Sequence, residues 1–228
     1  VLSSPTGSGK STQVPRWFRD KGRVLVVEPR RVACRSLAAR VAELDGHSLG
    51  QETGYVVRDD NRTSTKTSVL FATPGVVLRM IQSGTHLEYH TVIIDEFHER
   101  SLDTDLLLAL LRKESGIRLI IMSATLDGDA IAKHLEGTHL HAEGRLHSVE
   151  THYIGENKEP PGSKQLESRI NQAMERALNH AGDILVFLPG KAEISAVCQS
   201  LSKRSELTVL PLHGGLTLTE QAKIFEPS

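Results

Sequence analysis

Short apolar, β-branched runs recur along the chain, each followed by a longer stretch whose apolar positions fall three and four residues apart. The runs predict strands at Arg23–Glu28, Ser68–Ala72, Thr91–Asp95, Arg118–Ser123, Asp183–Leu188 and Glu206–Pro211. The longer stretches predict helices at Lys10–Asp20, Arg31–Leu44, Pro74–Gln82, Asp103–Lys113, Lys164–His180, Ala192–Lys203 and Thr217–Phe225, with Pro74 and Asp103 where helix starts are favoured. Several strand runs are apolar throughout, as strands buried on both faces must be, so the pattern predicts an α/β fold: a parallel sheet flanked by helices. The polar, Gly- and Pro-rich stretch GENKEPPGSK at 155–164 interrupts the alternation and reads as a linker or loop. About 65 residues follow it, fewer than the roughly 100 of a typical domain, yet they open a second strand-helix-strand-helix run. The expected organisation is a first domain over residues 1–150 and an incomplete second over 151–228.

Composition narrows the class without deciding it. The 228 residues are 39% hydrophobic and 24% charged, which excludes disorder as the general state. Formal net charge is −1, from 27 basic and 28 acidic side chains, so a nucleic-acid partner has to be held by a local arrangement. Cys34 and Cys198 lie far apart in segments of helical pattern, which suits reduced thiols in a cytoplasmic protein better than a disulfide framework. No apolar run approaches the ~20 residues of a membrane span. The first residues lack the basic region and long apolar core of a signal peptide. With only Val1 and Leu2 ahead of the first loop, the chain reads as trimmed at its start.

That first loop carries the first candidate chemistry. Residues 3–12, SSPTGSGKST, match the phosphate-loop pattern G-x-x-x-x-G-K-[ST], with Gly9, Lys10 and Ser11 in register and Ser4 where the first glycine usually stands. Glycine lets Thr6, Gly7, Ser8 and Gly9 turn successive N–H groups toward one anion. Lys10 adds positive charge at the β and γ phosphates, Ser11 offers a hydroxyl to Mg²⁺, and Thr12 completes the nucleotide-binding set. The competing reading is a Gly/Ser-rich helix cap. A strand remnant before the loop and a helix after it favour the phosphate loop.

A phosphate-loop enzyme needs a carboxylate site at the end of another strand. VIIDEFHERS at 92–101 supplies one: Asp95 to hold Mg²⁺ and Glu96 to position and deprotonate water. Alone, the pair could be a strand ending in solvated acids; together with Lys10 it makes the second half of an ATP site.

With these residues in place, DEFHERS resembles motif II of the DEAH-box helicases of superfamily 2, with Phe97 in place of alanine, a variant similar to the bacterial HrpB/HrpA-like branch. Other stretches match that family in order: PRRVA at 29–33 resembles motif Ia, GYVVR at 54–58 the stretch after it, TPG at 73–75 motif Ib, SAT at 123–125 motif III, LVFLPG at 185–190 motif IV, and LPLHGGL at 210–216 the strand-loop beyond it. The resemblance implies an ATP- and Mg²⁺-dependent helicase acting on single-stranded or partly duplex RNA, DNA being possible. Two RecA-like domains would clasp the nucleotide between them. It further implies that Arg30 or Arg31, Thr73, and Pro189 with Gly190 contact nucleic acid. Ser123 and Thr125 would couple hydrolysis to domain movement through His98, so that their loss uncouples ATPase from unwinding. The arginines also read as a solvated pair opening a helix, Thr73 as an N-cap, and the hydroxyl pair as a turn. Phe97 reads as packing.

Motifs V and VI, with their arginine fingers, do not appear before the sequence stops at IFEPS. These 228 residues are therefore expected to bind nucleotide weakly and hydrolyse it poorly. Five histidines, His134, His139, His141, His147 and His152, cluster without metal-ligand spacing, and no structural metal is expected there. Two other functions compete: a nucleic-acid-binding scaffold that no longer cycles, which intact Lys10, Asp95 and Glu96 disfavour, and a phosphate-loop kinase or transporter ATPase, which HER after DE and the SAT triplet disfavour.

Overall fold

The computed structural model describes residues 1–124, 127–144, 148–153, 163–217, 220–221 and 223–225. The chain divides into two compact units, Val1–Ser148 and Val149–Ser228.

In the first unit the elements run β1 (Leu2–Ser3), α1 (Lys10–Arg19), β2 (Val24–Val27), α2 (Arg31–Leu44), β3 (Thr53–Val57), β4 (Asp60–Arg62), β5 (Val69–Ala72), α3 (Pro74–Ser83), β6 (Thr91–Ile94), α4 (Leu102–Leu111), β7 (Arg118–Ser123), α5 (Gly128–His134) and β8 (Leu140–His141). The eight strands form one sheet in the order β4-β3-β5-β2-β6-β7-β1-β8. Every pairing is parallel except the β3–β4 hairpin at one edge.

Strand periodicity explains how the apolar runs are used. Successive side chains point to opposite faces, and the buried residues sort into two clusters accordingly. Leu25, Val27, Leu70, Val92, Ile94 and Ile121 face Val76 and Val77 of α3 and Leu107 and Leu111 of α4. Val24, Val26, Val69, Phe71, Ile93 and Met122 face Val14 of α1 and Cys34, Ala38 and Val41 of α2. Each large side chain buried this way contributes about 1.5–3 kcal/mol, which holds the strand ends, and the loops leaving them, in fixed positions. Cys34 and Cys198 are free thiols.

Three elements of the first unit escape the hydrophobic pattern. The β3–β4 hairpin, α5 and β8 are short, and their apolar residues are too few to show a period. Gly54 marks the hairpin, because a Cβ there would meet the Arg62 carbonyl oxygen at 2.3 Å. Two of the clustered histidines have structural work: His139 Nε2 and His141 Nδ1 lie 2.7 and 2.8 Å from Ser3 Oγ, and His139 Nδ1 lies 2.8 Å from Asp129. They tie β8 and α5 to the strand that precedes the phosphate loop.

The second unit contains α6 (Ser163–Ala177) and α7 (Lys191–Leu201), joined by a small core of Ile170, Met174, Val197 and Leu201. The strands expected at 183–188 and 206–211 are not formed: neither segment joins a ladder among the described residues. A strand exists only through hydrogen bonds to a neighbour, and Leu185 and Phe187 are 70% and 87% exposed, so apolar content alone misleads there. The expected linker at 155–164 falls almost wholly outside the described residues. The expected helix at 217–225 is described only in part, as helix at Glu220 and Gln221 and a 3-10 turn over Lys223–Phe225.

Candidate nucleotide site at the carboxyl edge of the sheet

The phosphate loop leaves β1 and enters α1 through Gly7 and Gly9, both with positive φ, at 78° and 83°. Gly9 caps α1 without any side-chain acceptor, so nothing from a side chain occupies the first-turn N–H groups. An open helix N-terminus of this kind favours anions. Thr6, Gly7 and Ser8 form the exposed tip of the loop. Ser4 is buried without positive φ, which explains why the usual glycine is dispensable at that position. The two hydroxyls that open α1 are used differently. Thr12 donates to the Gly9 carbonyl at 3.0 Å, whereas the Ser11 hydroxyl lies against Asp95 and draws that carboxyl toward its charged form.

The carboxylate stretch emerges from β6, three strands from the hairpin edge and separated from β1 by β7 alone. Asp95 is 1% exposed, and burial, the largest influence, raises its pKa. Its Oδ1 accepts the Glu96 N–H at 2.8 Å, while Oδ2 is buried with no partner among the described residues. An orphaned buried carboxylate oxygen beside a serine hydroxyl fits a hard divalent cation, because each supplies the oxygen ligand that Mg²⁺ prefers. Glu96 adopts a left-handed backbone, φ 48° and ψ 38°, unusual for a residue with a side chain. That kink holds its carboxylate between Lys10 Nζ, 3.6 Å from Oε1, and His98 Nε2, 3.2 Å from Oε2. Lys10 itself is buried, so the charge is held inside the site and little screened.

The intervening strand explains how Ser123 takes part. Ser123 ends β7 between the two halves of the site; its carbonyl accepts from Ser4 N–H at 3.2 Å, and its Oγ lies 3.5 Å from His98 Nδ1. The expected meeting of Ser123 and His98 is therefore present, at a long distance. Thr125 lies outside the described residues. Phe97 is 2% exposed in the core under α4, with the Arg100 guanidinium over its ring at 5.0 Å, as the packing reading expects.

The remaining expected contacts are spread along the same edge and beyond it. Arg30 caps α2 and pairs with Glu99, whereas Arg31 is exposed and makes no ion pair among the described residues. Thr73 is the N-cap of α3 through its backbone, its carbonyl accepting the Val76 and Val77 N–H groups, while its hydroxyl makes no cap hydrogen bond. Pro189 and Gly190 precede α7 in the second unit, with Gly190 at its N-cap.

Two carboxylates went unrecognised in the sequence as members of this site. Glu28 follows β2, which pairs with β6 so that Val27 sits opposite Ile94 and Glu28 reaches the same edge as Asp95. It is 2% exposed, and its carboxyl is pushed up to about 8, chiefly by burial and then by the charge of Asp95. The available signal was an acid placed, like Asp95, directly after an all-apolar strand. Glu99 was visible in the quoted stretch, but its pairing to Arg30 is a fact of the fold.

An open phosphate loop, a buried acid with a spare oxygen and a second carboxylate held by the loop lysine, all on a RecA-like parallel sheet, define a P-loop NTPase. The DEAD/DEAH box helicase family matches residues 1–134, and the chain belongs to that family. Two curated relatives align over the whole chain: ATP-dependent RNA helicase HrpB of Escherichia coli, 39% identical, and an ATP-dependent RNA helicase HrpA homolog of Haemophilus influenzae, 37% identical. The chain spans 29% and 18% of their respective lengths. Among solved structures, a crystal structure of the Escherichia coli DEAH/RHA helicase HrpB superposes with a TM-score of 0.82 at 38% identity, covering all of this chain and 30% of that one. A second, described as the E. coli DExH-box NTPase HrpB, gives 0.72 at 37% identity, covering all of this chain and 29% of that one.

Proposed function

We propose that this chain forms the nucleotide-binding part of an ATP-dependent RNA helicase that uses hydrolysis to translocate and separate strands. The observation that carries the reading is Glu96 held 3.6 Å from Lys10, beside a buried Asp95 with an unpartnered oxygen. In this reading the loop Thr6–Thr12 cradles the phosphates through its N–H groups, and Lys10 exchanges Glu96 for the β and γ phosphates. Ser11 and Asp95 hold Mg²⁺, which when bound neutralises charge on the phosphate oxygens. Glu96, released from Lys10, holds the attacking water and takes its proton. His98, Ser123 and Thr125 transmit the state of this site to the rest of the protein.

Arg30 or Arg31, with Thr73, serves the nucleic-acid backbone from the first unit, and Pro189 and Gly190 do so from the second. The second unit is the opening part of a further RecA-like domain. RNA is the substrate suggested by the names of the relatives, and this reading takes it single-stranded or partly duplex; DNA is the other outcome to be tested. The protein works in the cytoplasm; among the described residues no helix is long and apolar enough to cross a membrane.

The test is ATP hydrolysis by the full-length protein with and without single-stranded RNA or DNA, beside Glu96→Gln. RNA is expected to raise turnover, and Glu96→Gln to keep nucleotide binding while lowering hydrolysis by about 10²–10⁴. If neither polymer stimulates, the helicase reading fails, and retained nucleotide binding would favour a non-cycling scaffold.

A further inference from the structure

Glu96, His98 and Glu99 each present a ligand atom within 4.8 Å of the others, the spacing of a metal site. Both carboxylates, however, already have cations. Lys10 lies against Glu96, and Arg30 grips Glu99 with a two-point fork, Nη2 to Oε1 at 2.5 Å and Nε to Oε2 at 3.2 Å. The arrangement is a relay of charges, not an ion cage. It runs from buried Lys10 through Glu96 to His98, passes to Glu99 by proximity within 4.8 Å with no bond between them, and ends at Arg30, whose side chain is 70% exposed.

Glu96 thus has two holders, Lys10 and His98, and both must let go before it can serve water. ATP phosphates remove the first by taking Lys10. Nothing in the nucleotide removes the second. Arg30 stands at the outer end of the relay, with its own N–H 3.4 Å from the buried Glu28 carboxylate, so its backbone is placed while its guanidinium faces solvent. Guanidinium forks bind phosphate as readily as carboxylate.

We propose that Arg30 and Glu99 form a latch operated by a nucleic-acid phosphate. A backbone phosphate takes Arg30 away from Glu99. The freed Glu99 carboxylate then competes with Glu96 for the His98 N–H, and Glu96 is released to hold water. ATP frees one side of Glu96 and nucleic acid the other, so turnover waits for both ligands. Arg30 and Glu99 are positioning residues here, acting through His98. The latch rests on the helicase reading above but is separable from it.

The test uses the full-length protein, a single-stranded RNA oligonucleotide as the probe, and two variants: Arg30→Gln, which removes the guanidinium, and Glu99→Gln, which keeps side-chain size while removing the charge. Arg30→Gln frees Glu99 permanently: RNA binding weakens while turnover without RNA rises, by about 5- to 150-fold, the usual span of coupling between sites. A plain RNA contact would weaken binding and leave the RNA-free rate where it was. Glu99→Gln has no carboxylate to compete for His98: it binds RNA more tightly, since Arg30 is already free, and turns over at one rate with or without RNA. Arg30→Gln/Glu99→Gln loses the raised rate of Arg30→Gln. Should wild-type turnover respond to RNA while Arg30→Gln shows no rise without it, or Glu99→Gln is stimulated like wild type, the latch is wrong and the helicase reading stands. Should wild-type turnover ignore both RNA and DNA, the helicase reading itself is lost.

Discussion

Glu28 shows what one side chain costs when a candidate-site edge is built from carboxylates. Burial holds its pKa at about 8, well above the usual 4.5, with Asp95, Glu96 and Glu99 adding repulsion and the Arg30 N–H partly opposing them. The folded state therefore keeps a proton that the unfolded chain gives up above its ordinary value. The contribution of Glu28 to unfolding free energy is greatest below pH 4.5 and falls as pH rises toward 8, by at most about 1.4 kcal/mol per pH unit. Glu28→Gln has no proton to lose. Denaturant midpoints followed by the single tryptophan, Trp17 on α1, in metal-free buffer are expected to drop between pH 5 and pH 8.5 for wild type and to drop less for the variant. Equal drops would remove Glu28 as their source.

At the scale of elements, the positions of the candidate site residues follow from parallel pairing. Because β2, β6, β7 and β1 all run the same way, their carboxyl ends lie at one edge, and residues distant in sequence, Lys10, Glu28, Asp95 and Ser123, leave the sheet together. The β3–β4 hairpin closes the far edge and depends on close backbone approach. Gly54→Ala drives a methyl into the Arg62 carbonyl at 2.3 Å and into Thr63 at 3.1 Å. A backbone oxygen in a ladder cannot swing aside, so the variant is expected to lose about 1–3 kcal/mol and to speed hydrogen exchange over residues 53–62. Thermal melts unchanged from wild type would contradict this. Gly75, whose Cβ would meet nothing, provides the neutral control through Gly75→Ala.

For the whole molecule, the first unit carries the eight-stranded sheet and both halves of the candidate nucleotide site, while the second has exposed apolar segments and a small core. ATP with Mg²⁺ is expected to raise the melting temperature of the first unit, since a ligand at 100 times its Kd adds about 2.7 kcal/mol to stability. Lys10→Ala should abolish the shift, and chelating Mg²⁺ should reduce it. A shift that survives Lys10→Ala would place the nucleotide elsewhere.

The sequence by itself determined the α/β class, the central strands and the helices that cover them, because a two-faced parallel sheet needs continuous apolar runs and its helices need a 3.6-residue period. It also determined the phosphate loop and the Asp95–Glu96 pair, whose chemistry depends on residues adjacent in the chain. Only the tertiary structure decided which carboxylates meet. Glu28 joins Asp95 through strand register, Glu99 meets Arg30 across two loops, and Ser3 gathers His141 from a two-residue edge strand and His139 from just before it. It also decided against the strands at 183–188 and 206–211, since a strand is a property of its partner as much as of its own residues. Local pattern reports what a segment can bury; the contacts that make a site depend on which segments the fold sets side by side.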